Sequence, residues 1–237
     1  MSKLKRPFVV AFSGGCCSGK TTMLNALKEQ LEKEGHKVLT FKADSHAYLA
    51  ERNTTIDAIR RRAFDYLRFQ EWICHEQANF ENQILQGHYN EYDVILLDRS
   101  LFDCIFYTKY YIDLGSPSLE VGNGFERYYD LQLYLDKHAN KAVERIYDLI
   151  LIFDALKEPK GNTETYTRPA SLKVLKYIES FGIAQIVTYY TALNHPELLK
   201  YINLNTTKQE EAVQDTIKTI KWYSNAYSKS LINTKSY

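Results

Sequence analysis

The chain is poor in cysteine, has almost no methionine, and contains neither a long apolar run nor an excess of charge of one sign. Its four cysteines, Cys16, Cys17, Cys74 and Cys104, form no CxxC pair and no zinc-type spacing with the six histidines. That excludes a disulfide-stapled secreted framework and fits a reducing, cytoplasmic setting. No stretch approaches the 18 or so consecutive apolar residues of a membrane-spanning helix, and the apolar run from Phe8 to Phe12 is too short for a signal-peptide core. Thirty Lys and Arg against 29 Asp and Glu leave a formal charge of +1. No global field therefore draws the protein to duplex nucleic acid or an anionic membrane, and any anion must be held by local groups.

The 237 residues are 45% apolar and 25% charged, enough for one sizeable α/β unit with a full core, read here as a single domain over residues 1–237. The 19 tyrosines read as aromatic packing and surface, with no functional implication of their own. Four segments read as strands: Phe8–Phe12, Val38–Phe41, Val94–Leu97 and Leu149–Phe153. Three of them are nearly continuous apolar runs, the pattern of parallel strands covered on both faces. A weaker fifth is Tyr201–Leu204. Leu24, Leu27 and Leu31 share one helical face ahead of Gly35, a helix terminator. Further helical spacing runs over Thr54–Gln86, Phe102–Leu114 and Phe125–Tyr147, and Val213, Ile217 and Ile220 mark a C-terminal helix over about 208–225, after which the chain is expected to fray. Gly115–Gly124 (GSPSLEVGNG) reads as an exposed insertion, and KEPKGNTETYTRP lies in a loop over about 155–170. Strand–helix alternation predicts an α/β fold, a parallel sheet of about five strands flanked by helices.

Directly after the first strand stands GGCCSGKT, Gly14, Gly15, Cys16, Cys17, Ser18, Gly19, Lys20 and Thr21, followed by Thr22. It satisfies G-x-x-x-x-G-K-[ST], and the amphipathic helix begins at Lys20, as phosphate binding requires. Glycines allow backbone angles that turn N–H groups inward, and the helix N-terminus adds partial positive charge. Lys20 can reach the β- and γ-phosphates of ATP, and the Thr21 hydroxyl can ligate Mg²⁺. VILLDRS places Asp98 at the end of a buried strand, where it either assists the metal or caps the next helix; Ser100 is the other capping choice. Neither a guanine-reading NKxD motif nor the length and sensor domain of an AAA-type motor is found. Arg99 and Arg168, the second in the Gly/Thr-rich loop, suit charge neutralisation in phosphoryl transfer, with that loop as a lid; Arg168 can equally be a surface arginine.

These residues resemble the P-loop nucleoside and nucleotide kinases, and within them the group of deoxynucleoside and thymidylate kinases. GGCCSGKT resembles their phosphate loop, Asp98-Arg99-Ser100 their acidic-Arg-Ser or Asp-Arg motif, and RFQEW (Arg68–Trp72) the helix where deoxynucleoside kinases place a Phe-Gln pair. The resemblance implies that Gln70 reads the acceptor base and that Asp44, in FKADS, stands where those kinases accept the proton of the sugar hydroxyl. From the residues alone, Asp44 can instead cap a turn before Ser45, and Gln70 can be satisfied by a protein partner. Phe64, Tyr66, Phe69 and Trp72 read as core, and Arg60, Arg61 and Arg62 as a solvated helix face from which one arginine could grip an acceptor phosphate. This chain departs from the group in lacking Glu-Pro after strand two. Its lid is sparse, with Arg168, Lys157 and Lys160 alone, as in the related bacterial ribosylnicotinamide kinases.

The expectation is thus an ATP- and Mg²⁺-dependent kinase of a nucleoside, with a nucleoside monophosphate kinase or a nucleotide-sensing regulatory protein as alternatives. No membrane or long nucleic-acid partner is expected, and a homodimer through Phe102–Tyr111 is an option, the same face serving otherwise as core. Because Cys16 and Cys17 lie in the phosphate loop, where a helix N-terminus lowers thiol pKa, alkylation of both is expected to abolish ATP binding. Unchanged ATP affinity, measured by calorimetry on protein alkylated at both positions, would overturn that expectation.

Overall fold

The computed structural model describes residues 6–15, 18–60, 62–104, 107–108, 129–131, 133–134, 137–138, 146–154, 184, 186–187 and 196–233. Cys16, Cys17, Arg61, the 115–124 insertion and the 155–170 loop with Lys157, Lys160 and Arg168 lie outside them.

Among the described residues, five strands form one sheet: β1 (Phe8–Gly14), β2 (Val38–Phe41), β3 (Val94–Leu97), β4 (Leu149–Phe153) and β5 (Leu199–Ile202). Their order is β2-β3-β1-β4-β5, and every pairing is parallel, as the apolar runs predict. Period-two alternation divides the core in two. Val9, Ala11, Ile95, Leu97, Ile150 and Ile152 face one side, where Leu67, Cys74, Ala78 and Ile84 of helix α4 (Ala63–Leu85) cover them. Val10, Phe12, Leu96, Leu149, Leu151 and Phe153 face the other, beneath Met23, Leu24, Leu27 and Leu31 of α1 (Lys20–Lys33) and Val213, Ile217 and Ile220 of the C-terminal helix. Arg6 adds a bidentate ion pair to the buried Asp148, at 2.7 and 2.6 Å, and the Val9 amide donates to the same carboxylate at 2.8 Å. This fixes the start of β4 beside β1.

The helices differ from expectation in three places. Thr54–Gln86 is not one helix: α3 (Ile56–Arg60) is separated from α4 (Ala63–Leu85) by Arg62 in an extended conformation. A further helix, α2 (Ser45–Glu51), precedes them. The break lets Tyr48 and Leu49, Ile56 and Ile59, and Tyr66 and Phe69 close over one small apolar cluster, with Trp72 half-buried against it, burial that a continuous rod would forgo. The C-terminal helix, α5 (Gln209–Asn233), continues past 225, and nothing within it is Gly or Pro to stop it. Strand β5 sits two residues earlier than Tyr201–Leu204, because pairing runs from Ile150 with Leu199 to Phe153 with Ile202, and the Asn203 side chain then closes a turn on the Asn205 amide at 3.0 Å.

Phe102, Cys104, Tyr107 and Thr108 are all buried within the chain. At these positions the apolar face considered for dimerisation is therefore core. Among the described residues, no helix is long and apolar enough to cross a membrane.

Gly14 ends β1 at φ 141°, and a Cβ there would lie 2.7 Å from the carbonyl oxygen of Phe153. Since that neighbour is backbone of the adjacent strand, it has little freedom to move. Gly14→Ala is expected to lower unfolding free energy by about 1–3 kcal/mol through strain and overlap together. Denaturant unfolding checks this, and an unchanged midpoint would contradict it.

Candidate active site

The site lies at the carboxyl ends of β1 and β3, which are hydrogen-bonded neighbours with Ala11 opposite Leu97. Because the strands are parallel and adjacent, the loop after Gly14 and the Asp98 segment emerge on the same edge. Gly19, the N-cap of α1, adopts φ 88° and offers no side-chain cap, and the first turn of α1 carries no acidic residue. A helix start with neither a side-chain cap nor an acidic residue in its first turn favours an anion through its partial positive charge. Ser18 is buried, its hydroxyl donating to the Gly15 carbonyl at 3.0 Å, whereas Thr21 and Thr22 are exposed on the first turn. The Lys20 ammonium, 6% exposed, donates to the carbonyls of Gly14 at 2.9 Å and Gly15 at 2.5 Å and to the Ser18 hydroxyl at 3.2 Å.

Across the loop the Thr21 hydroxyl donates to Asp98 Oδ2 at 3.0 Å, and Lys42 lies 3.4 Å from the same oxygen. Burial pushes the Asp98 carboxyl upward, but the charges of Arg99, Lys20 and Lys42 and the Thr21 hydrogen bond outweigh it and hold the group below its usual range. An ionised carboxylate beside a hydroxyl is a hard oxygen pair suited to Mg²⁺, which takes one or two protein ligands and completes its shell with phosphate and water. No cluster of three or more His, Cys, Asp or Glu that could hold a metal ion occurs among the described residues.

The structure places Asp44 as the N-cap of α2, its Oδ1 accepting from the His46 and Ala47 amides, both at 3.1 Å. The capping role open in the sequence is thus realised, at an exposed position on the sheet edge that carries Asp98. Gln70 is buried in α4, and its Nε2 donates to the Tyr66 hydroxyl at 2.7 Å, a protein partner for half of its amide. Tyr66 and Phe69 are core, as expected. Arg62 is exposed and lies 3.7 Å from Asp65. Arg99 has φ 130°, outside the usual range of a side-chain-bearing residue, and its guanidinium sits 4.5 Å from the Tyr107 ring centroid.

Sequence reasoning missed the residue that joins these parts. Asp103, fully buried, accepts from the Ser13 hydroxyl at 2.7 Å, the Gly14 amide at 3.0 Å, and the Ser100 amide and hydroxyl at 2.8 and 3.0 Å. The signal was present as S-x-x-D, Ser100 to Asp103, a capping-box pattern ahead of helical residues 101–104. Also missed was a polar group inside the apolar layer. Glu81, on α4, accepts through Oε1 from Gln77 Nε2 at 2.8 Å and from the Tyr147 hydroxyl at 2.5 Å. Its Oε2 has no partner among the described residues.

A family model described as an AAA domain matches residues 9–196, a description that the sequence had linked with longer motor chains. Thymidylate kinases from Shouchella clausii (strain KSM-K16) and Thermosipho africanus (strain TCF52B) are 26% and 28% identical over 148 and 182 residues. Those matches cover 60% and 73% of this chain and 69% and 87% of the relatives. Among solved structures, thymidylate kinase from Candida albicans superposes with TM-score 0.60 at 16% identity, covering 93% of each chain. NadR protein in complex with NAD and AMP-PNP superposes with TM-score 0.57 at 14% identity, covering 90% of this chain. This chain spans about half the length of that NadR chain, 49%. The fold is that of the P-loop nucleotide kinases.

Burial raises the Glu81 carboxyl to about 7, against the opposing hydrogen bonds of Tyr147 and Gln77. The folded state therefore holds a proton that the unfolded chain releases near 4.5. The stabilisation is complete below that value and is lost as pH rises through about 7. The unfolding free energy of the native chain relative to Glu81→Gln is expected to fall by roughly 2–4 kcal/mol between pH 4 and 8, since each tenfold difference in proton affinity is worth about 1.4 kcal/mol. Chemical denaturation across that range checks it, and a pH-independent difference would contradict it.

Proposed function

This chain belongs to the AAA domain family, and on that premise we propose that it is a single-domain kinase transferring the γ-phosphate of ATP to the hydroxyl of a nucleoside. The observation that carries the reading is the Asp103 tie, which holds the phosphate loop against Asp98-Arg99-Ser100 so that donor and metal groups share one edge. Lys20 and the amino-terminal end of α1 bind the donor phosphates. Thr21 and Asp98 would hold Mg²⁺, which would supply neutralising positive charge to the donor phosphates. Arg99, joined by Arg168 from a lid over about 155–170, neutralises charge on the transferred group.

On the acceptor side, Gln70 keeps an amide N–H and its carbonyl for a base edge while its other N–H is spent on Tyr66. Asp44 uses Oδ1 for the α2 cap, leaving Oδ2 to orient the attacking hydroxyl. A dissociative transition state needs little proton abstraction, so positioning is the larger part of its task. The likeness to thymidylate kinases favours a second reading, a nucleoside monophosphate acceptor whose phosphate would meet Arg99. Cytoplasmic action on small nucleosides or nucleotides accords with the neutral charge.

ADP formation from ATP and Mg²⁺ with parallel panels of nucleosides and nucleoside monophosphates tests both. Stimulation by a nucleoside supports the first reading, and stimulation by monophosphates alone replaces it with the second. Lys20→Ala is expected to lower turnover by roughly 100-fold or more with folding unchanged. A fully active Lys20→Ala protein would remove the phosphate loop from the mechanism.

A further inference from the structure

The backbone of Arg99 is strained at φ 130°, and such a conformation persists only where neighbouring groups enforce it. Two hydrogen bonds grip its flanks. Gln77 Nε2 donates to the Arg99 carbonyl at 3.3 Å, and the Leu101 amide donates to the Tyr147 hydroxyl at 3.0 Å. Both grips converge on Glu81 Oε1, which accepts from Gln77 and from Tyr147. Glu81 is 1% exposed beside a hydrophobic layer, with the buried Gln77 as its polar neighbour on α4, where an apolar residue would be cheaper to bury.

The directions of these bonds follow from the acceptor. Because the Tyr147 hydroxyl donates its hydrogen bond to Glu81 Oε1, its oxygen keeps lone pairs for the Leu101 amide. Because Oε1 also takes one N–H of Gln77, the amide cannot flip, and its second N–H is aimed at the Arg99 carbonyl. We propose that Glu81 is a positioning residue: through Gln77 and Tyr147 it holds the strained backbone on either side of Ser100 and thereby aims the Arg99 guanidinium at the transferred phosphoryl group. The inference rests on the reading of Arg99 given above. It assigns a positioning role to three buried residues, Glu81, Gln77 and Tyr147.

The polarity argument makes the neutral amide a rescue. In Glu81→Gln the amide oxygen can replace Oε1 and serve both donors, whereas Glu81→Met serves neither. The experiment measures kcat and KM for ATP, with the acceptor found in the panel assay, for Gln77→Met, Tyr147→Phe, Glu81→Met and Glu81→Gln, each alone and with Arg99→Ala. Thermal unfolding is followed in parallel. Gln77→Met and Tyr147→Phe are expected to lower kcat about tenfold with KM for ATP within about twofold, and Glu81→Gln to stay within about threefold of the native enzyme. In the Arg99→Ala background the same substitutions are expected to cost nothing further.

Native kcat in both Gln77→Met and Tyr147→Phe would overturn the proposal while leaving the Arg99 role intact, as would losses that multiply with Arg99→Ala. Native kcat in Arg99→Ala itself would overturn the role of Arg99 and the proposal with it. A readout independent of acceptor and turnover is the Arg99 15Nε resonance, assigned by its loss in Arg99→Ala. It is expected to move in Tyr147→Phe and Gln77→Met and to hold its place in Glu81→Gln. An unmoved resonance in the first two would also overturn the proposal.

Discussion

The buried carboxylate of Asp103 ties together two segments that arrive at the site from opposite ends of a long stretch of chain. It collects the Ser13 hydroxyl and Gly14 amide from the end of β1 and the Ser100 amide and hydroxyl from the segment after β3. A carboxylate removed from water is tolerated only when donors surround it, and here four do. The parallel register of β1 and β3 brings the two strand ends together, and Asp103 then fixes their loops relative to one another. The Lys20, Thr21 and Asp98 arrangement rests on that tie together with the bond from the Asp98 amide to the Phe41 carbonyl of β2 at 2.8 Å.

Around this point the protein concentrates positive charge that its overall composition lacks. Lys20, Lys42 and Arg99 all lower the Asp98 carboxyl, in a chain whose formal charge is +1. Local convergence, rather than net charge, is how a neutral protein holds polyphosphate. The opposite layer uses polar groups differently. Gln77 and Tyr147, joined by Glu81, are buried, and they bond the backbone at Arg99 and Leu101, so α4 reaches the Arg99 segment through its interior face.

Much of this was legible in the amino acids. Val94–Leu97 and Leu149–Phe153 were bounded correctly because buried parallel strands are uninterrupted apolar runs, and α1 begins at Lys20 because the motif fixes loop and helix together. Less legible were elements whose limits depend on a partner. The limits of β5 came from pairing with β4, and the break between α3 and α4 came from closure over the Tyr48–Phe69 cluster. Asp44 and Gln70 carried two readings each, and the structure gave both a protein partner without exhausting their hydrogen-bonding capacity.

The sequence by itself determined the strand–helix alternation, the phosphate loop and the position of Asp98 at a strand end, because each is encoded within a few consecutive residues by apolar periodicity or fixed motif spacing. Only the tertiary structure decided that Asp103 would reach Ser13 across 90 positions and Tyr147 would reach Glu81 across 66. Such pairings are chosen by which faces pack together and by the need to satisfy every buried donor and acceptor, and that condition has no short-range signature in the chain.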